Sequence, residues 1–178
     1  MIQSFDFAIL DWIQAHMRCD FLDGFFTVIT HLGDEGAIWI VIGIVLLFFK
    51  KYRRTGVAVL LGLLCGLLVG NLFLKNVIAR ARPCWINETI DMLVKIPTGY
   101  SFPSGHTLSS VIAATCMALR DRKIGIPACI LAALIAFSRL YVYVHFPTDI
   151  LGGTILGIGI GFFITWLCRK PKWKLLGE

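Results

Sequence analysis

Six side chains that could do chemistry stand at the ends of apolar stretches: Lys75, Arg82, His106, Arg139, His145 and Asp149. An ionisable group at membrane depth costs free energy unless it is paired or faces water, so each is a functional candidate. Lys75, Arg80, Arg82 and Arg139 together would repel one another without an anion. Arginine offers planar two-pronged donors and lysine a point charge, which is the chemistry of a phosphate site. Lys75 and Arg82 are seven residues apart and share a face if one helix carries both. Ser104-Gly105-His106 follows Pro103 and opens an apolar run, so its first N–H groups are free and carry the positive end of a helix dipole. Ser104 fits there as a cap, and beside the cations the same geometry becomes an anion site. Gly105 lets the backbone come close to a ligand. Asp149 lies four residues after His145. A carboxylate on one ring nitrogen fixes the tautomer and leaves the other as a nucleophile, whether the stretch is a helix or a turn.

The elements that position these residues are membrane spans. Apolar residues make up 57% of 178, charged residues 16%, and mean hydropathy is +0.79. This excludes a disordered chain, a coiled coil and a disulfide-rich mini-protein, and argues against a soluble globule. The reading is all-α: a polytopic membrane helix bundle of about six transmembrane helices, forming a single domain over 1–178. Residues 1–18 mix Phe5, Trp12 and Ile13 with Asp6 and Asp11, as in an amphipathic helix lying in the interface. Spans are expected over 20–33, 36–49, 55–74, 104–119, 124–144 and 150–168. Basic residues collect at 50–54, at 120–123 and in the tail Arg169, Lys170, Lys172 and Lys174, all on one side if the spans are six. That side is cytoplasmic, with both termini, and the site faces out. The net charge of +6 is explained by these loops, so no nucleic-acid partner is expected.

Other features read blandly. The six cysteines show no paired spacing, and Cys65, Cys116, Cys129 and Cys168 read as small buried hydrophobes. Gly62, Gly66 and Gly70, like Gly153, Gly157 and Gly161, recur every four residues and read as close helix packing, within the chain or in a homodimer. His16 and His31 are read as satisfied core residues. The outer-face carboxylates show no metal-ligand spacing, so no metal and no cofactor are expected.

Three motifs carry a resemblance. Lys75, six residues, Arg82-Pro83 is the first; Pro103-Ser104-Gly105-His106 the second; Ser138-Arg139, five residues, His145, three residues, Asp149 the third. The chain resembles the type 2 phosphatidic acid phosphatase superfamily of integral-membrane lipid phosphatases. That resemblance implies a metal-independent phosphatase. In it His145 attacks phosphorus and forms a phosphohistidine, Asp149 supports His145, and His106 protonates the leaving oxygen and then activates water. Lys75, Arg82, Ser104, Gly105 and Arg139 hold the phosphate oxygens. Arg80 lies outside the motif, so its loss is expected to be milder than that of Arg139. Soluble vanadate-dependent haloperoxidases share the motifs, but the spans argue against that branch. The expected substrate is undecaprenyl diphosphate, converted to undecaprenyl phosphate. The alternatives are phosphatidylglycerophosphate, phosphatidic acid or lipid A, and, from another class, a non-enzymatic anion or lipid transporter.

Overall fold

In hydrocarbon every backbone N–H and C=O needs an internal partner, and a helix supplies it. The computed structural model describes residues 2–169 and is all-helical, 77% helix, with no strand among the described residues. Its helices are α1 (Ile2–Met17), α2 (Asp20–Leu32), α3 (Ala37–Phe48), α4 (Arg53–Gly66), α5 (Lys75–Ile78), α6 (Pro83–Ile86), α7 (Gly105–Ala118), α8 (Arg122–Tyr141) and α9 (Pro147–Cys168). A π-helical stretch, Leu67–Leu74, joins α4 to α5 without a break. The expected tail residues Lys170, Lys172 and Lys174 lie outside the described residues.

A helix stands at every predicted span, but length and apolarity support fewer crossings than six. Three stretches qualify: Arg53–Ile86, α8 and α9. A fourth qualifies if α2 and α3 count as one span bent by 46°. The bend falls at Glu35 and Gly36, whose φ values of 51° and 69° are left-handed. At 1.5 Å per residue the 14 residues of α7 reach only about 21 Å, short of a bilayer.

The short α7 is the centre of the bundle. It packs against α4, α8 and α9, and Leu108, Ile112, Ala113 and Cys116 on it are almost fully buried. Both glycine ladders face it. A Cβ at Gly62, Gly66 or Gly70 would come within 2.6 Å of Ile112 or Leu108, and one at Gly157 within 2.9 Å of Val111. The ladders therefore serve packing within the chain, bringing α4 and α9 close enough to hold α7 between them. Local chemistry sets the helix starts. The Ser104 hydroxyl accepts from Thr107 N–H at 3.4 Å and caps α7. Pro147 stands at the first position of α9, where it loses no hydrogen bond.

Two readings are corrected. Among the cysteines Cys116 and Cys168 are buried, whereas Cys129 is exposed on the outer surface of α8 and Cys65 is half-buried; all six are free. His16 is exposed and stacks on Trp12 rather than lying in the core.

The packing yields a paired expectation. Gly157→Val should destabilise the protein by about 1–3 kcal/mol through overpacking. Gly159→Val, where a Cβ meets nothing within 4 Å, should leave stability unchanged. Unfolding of both variants in detergent checks it.

Candidate active site

One cavity of about 790 Å³ gathers the expected residues. Lys75, Arg82, Gly105, His106, Arg139 and His145 line it. Ser104 and Asp149 lie behind its wall, each without exposed surface. Sequence positions 75 to 149 thus converge, from the end of the α4–α5 rod, the loop after it, the start of α7, the end of α8 and the start of α9.

Lys75 and Arg82 arrive differently from expected. They do not share a helix face, because the helix ends at Ala79 in the left-handed region, φ 48°. Arg82 is extended, φ −82° and ψ 154°, as a residue before proline is biased to be. The turn still delivers both to the cavity. The π stretch before Lys75 places Asn71 on the cavity wall, where a Cβ on Gly105 would meet the Asn71 Oδ1 at 2.8 Å. Gly105 therefore packs closely against the Asn71 amide.

His145 sits on the turn between α8 and α9. Tyr143 bends that turn with a φ of 59°, and its hydroxyl donates to Asp11 Oδ1 at 2.7 Å. A non-glycine residue held there stores strain, which the surrounding bonds must hold. Arg82 Nη1 lies 3.1 Å from His145 Nε2 and 2.8 Å from Val144 O. A guanidinium only donates, so Nε2 must accept and the ring proton sits on Nδ1. Nδ1 faces Ser101 Oγ at 3.4 Å and Asp149 Oδ2 at 3.5 Å. The Ser101 hydroxyl in turn donates to Asp149 Oδ2 at 2.5 Å. The direct His145–Asp149 bond expected from spacing is thus relayed through Ser101. Burial, reinforced by the charges of Arg82, Arg139 and Lys75, pushes the His145 pKa well below that of a free imidazole. The ring is held neutral, with an unprotonated Nε2 that accepts from Arg82.

Asp149 holds further partners. Phe146 N–H donates to its Oδ2 at 2.8 Å, and Arg80 Nη1 to its Oδ1 at 2.6 Å. Arg80 also donates through Nη2 to Asp6 Oδ2 at 2.7 Å, and Asp6 accepts from Thr148 N–H and hydroxyl. Arg80 is therefore part of the site's support, although it falls outside the motif. Asp6, on α1, is fully buried. Arg139 is also buried; its Nη1 donates to Thr30 Oγ1, and its Nε has no partner. His106 Nε2 lies 2.9 Å from Asp34 Oδ1, whose other oxygen lies 2.7 Å from His31 Nδ1. His31 is thus an exposed member of a His–Asp–His row at the cavity edge, not a core residue. Among the described residues no group of three His, Cys, Asp or Glu side chains is arranged to hold a metal.

This is a neutral imidazole facing an arginine, in a cavity lined by further cations. The PAP2 superfamily pattern matches residues 55–173. The chain belongs to the PAP2 superfamily. It is 35% identical over 143 residues to an undecaprenyl-diphosphatase of Sulfolobus acidocaldarius, covering 79% of this chain and 68% of that one. It is 30% identical to phosphatidylglycerophosphatase B of Bacillus subtilis, covering 96% and 87%. A crystal structure of a transmembrane PAP2 type phosphatidylglycerolphosphate phosphatase from Bacillus subtilis matches it with a TM-score of 0.77 at 30% identity, again over 96% and 87%. This PAP2 protein is a multi-pass membrane lipid phosphatase.

Sequence reasoning missed Thr30, Asp34, Ser101, Thr148 and Asp6, and discounted Arg80. The one signal for Asp6 was a carboxylate set between Phe5 and Phe7 on α1. Breaking a buried ion pair on one side costs about 3–5 kcal/mol. Arg80→Ala should therefore destabilise this PAP2 protein by that order and reduce phosphate release as severely as Arg139→Ala. Asp6→Asn, which leaves the Arg80–Asp149 pair, should cost less. Unfolding and turnover of the three variants check the order.

Proposed function

We propose that the chain hydrolyses undecaprenyl diphosphate to undecaprenyl phosphate, without a metal, through a phosphohistidine on His145. The observation that carries the mechanism is the His145 tautomer: Nε2 is unprotonated and turned to Arg82 at the cation-lined cavity. In the first step Nε2 attacks phosphorus, an N–P bond forms, and the bond from phosphorus to the leaving oxygen breaks. His106, entering this step as the imidazolium, gives that oxygen its Nδ1 proton and becomes neutral. In the second step water attacks the phosphohistidine, His106 takes the water's proton, and the N–P bond breaks to release inorganic phosphate. An ionised Asp34 only accepts, so it holds the His106 Nε2 proton and leaves Nδ1 to exchange one with substrate. Asp149, through Ser101, holds the Nδ1 proton of His145 and stabilises the charge that develops on the ring. Lys75, Arg82, Arg139 and the free N–H groups at the start of α7, next to Ser104 and Gly105, hold the phosphate oxygens. Arg139 Nε is a donor with no partner of its own, ready for such an oxygen.

The substrate reading rests on the 35% identity to the Sulfolobus diphosphatase. Phosphatidylglycerophosphate is a second reading, favoured by the fuller coverage of the Bacillus phosphatase. Both share the phosphate group that the cavity would hold.

The bundle in this reading is one domain that crosses the membrane six times, by α2, α3, the α4–α5 rod, α7, α8 and α9. Exposed Phe5 and Trp12 seat α1 in the interface beside the site. The basic loops near Lys50 and Arg120 lie at the far ends of the helices from His145. The cavity then opens to the extracytoplasmic side, with both termini cytoplasmic.

Phosphate release by detergent-purified protein, in a chelator, tests the chemistry. Turnover should persist, favour undecaprenyl diphosphate over phosphatidylglycerophosphate and phosphatidic acid, and vanish in His145→Ala. Arg139→Ala should lose about 10²–10³ in rate. A preference for phosphatidylglycerophosphate would move the substrate and keep the mechanism; activity in His145→Ala would sink the mechanism. Sidedness is read separately. A cysteine placed at Glu88 in a cysteine-free background should be labelled by an impermeant reagent from outside intact cells, and protection there would reverse the orientation.

A further inference from the structure

A second cavity, of about 630 Å³, lies at the other end of the bundle. It is walled by the start of α4, the ends of α7 and α9, and the loop before α4, so the length of α7, about 20 Å, separates it from the first. Five cations line it: Lys50, Lys51, Arg54, Arg120 and Arg169. Their partners are few. Lys51 pairs with Asp121 at 2.6 Å, and Tyr52 hydroxyl also donates to that carboxylate. Arg120 donates to Lys51 O and Arg169 to Leu119 O, both neutral carbonyls. Among the described residues the cluster thus has one carboxylate, and it is taken.

Arg54 stands apart. Its Nε and Nη2 are both buried and neither has a hydrogen-bond partner. These two nitrogens form one edge of the guanidinium, the edge that grips a phosphate or carboxylate with two parallel bonds. Leaving such donors dry and unmade is costly. The tendency of cations to gather in the loops on one side of a membrane accounts for Lys50 and Arg120. It does not account for a guanidinium at a cavity wall whose Nε and Nη2 are buried without a partner. Among the described residues the buried side-chain nitrogens without a partner belong to two arginines. Arg139 lines the active-site cavity and Arg54 lines this one. The same criterion therefore points to an anion at both ends.

We propose that this second cavity binds a phosphate-bearing anion, gripped by the Nε–Nη2 edge of Arg54 and neutralised by Lys50, Arg120 and Arg169. The phosphate could be inorganic or the headgroup phosphodiester of an anionic lipid, since basic pockets between membrane helices take such headgroups. The site is distinct from the hydrolytic one and makes no use of His145.

The full chain is purified, and its thermal unfolding is followed with and without inorganic phosphate in detergent. The same is done in nanodiscs of phosphatidylcholine, alone or mixed with phosphatidylglycerol. Wild type and Arg54→Gln are compared, so that any binding at the active site is common to both. Ligand that binds only the folded chain raises the midpoint, here by on the order of a few degrees. The rise should be clearly smaller in Arg54→Gln, and phosphate release by that variant should stay at the wild-type rate. A difference with inorganic phosphate and phosphatidylglycerol alike supports a site for the phosphate group. A difference with phosphatidylglycerol alone supports a headgroup site. Equal shifts in the two proteins, under every condition, overturn the proposal. Should Arg54→Gln fail to fold, the exposed pair Lys50→Gln and Arg169→Gln gives the same comparison with the same reading.

Discussion

The structure turns on a carboxylate with no exposed surface. A buried carboxylate is costly unless it is paired and hydrogen-bonded. Asp149 is met by three donors: Arg80, Ser101 and the Phe146 N–H. Arg80 in turn needs a second carboxylate, since it is a cation over the Phe146 ring and largely enclosed, and Asp6 supplies it. One buried charge therefore ties together the first helix, the loop after Ala79, the loop at Ser101 and the start of α9. The nucleophile candidate stands on the same turn. The tautomer of His145 follows from Arg82 on one ring nitrogen and the Ser101–Asp149 pair on the other.

Backbone packing supplies the second constraint. Ser104 N–H donates to Asp149 O at 3.2 Å, so the start of α7 is bonded to the start of α9. That bond requires the two helices to lie very close, and Gly153 and Gly157 allow it: a Cβ at Gly153 would stand 3.0 Å from Ser104 O. The glycines and the anion site are therefore one design. Small residues bring the helices together, and the positive end of α7 comes with them to the place where the cations collect.

The parts of this that were legible in the sequence are those in which residue type alone limits the chemistry. Arginine, lysine and histidine at the ends of apolar runs serve orientation or an anion, and the spans put Lys75, Arg82, Arg139, His106 and His145 on the face away from the basic loops, so they could be placed together before any coordinates. The helices were legible for the same reason, through long uncharged runs. What spacing could not give was partnership across the chain. Asp6 meets Arg80 across 74 positions and Thr30 meets Arg139 across 109; no local pattern encodes either pair. The shared helix face predicted for Lys75 and Arg82 failed at a single backbone angle, at Ala79, where neither glycine nor asparagine gave warning. His31 was misread because an imidazole in an apolar segment looks like core until Asp34 is seen to bridge it to His106.

Hydrogen-bond accounting distinguishes cations that are structure from cations that await something. Arg80 and Arg18 have their acids, Asp149 with Asp6 and Asp23 respectively, and need nothing further. Arg82 is fixed in place by the carbonyls of Gly99, Tyr100 and Val144 and by His145, with one Nη2 donor left over. A group fixed in advance stabilises a developing negative charge without reorganising, which is where electrostatic catalysis gains most. Arg139 is half-spent: Thr30 holds one nitrogen, and the buried Nε has no partner. A buried donor left unmet in this way weakens the fold, and an anion that met it would recover that cost. Stability given up at a site in the free protein reappears there as affinity.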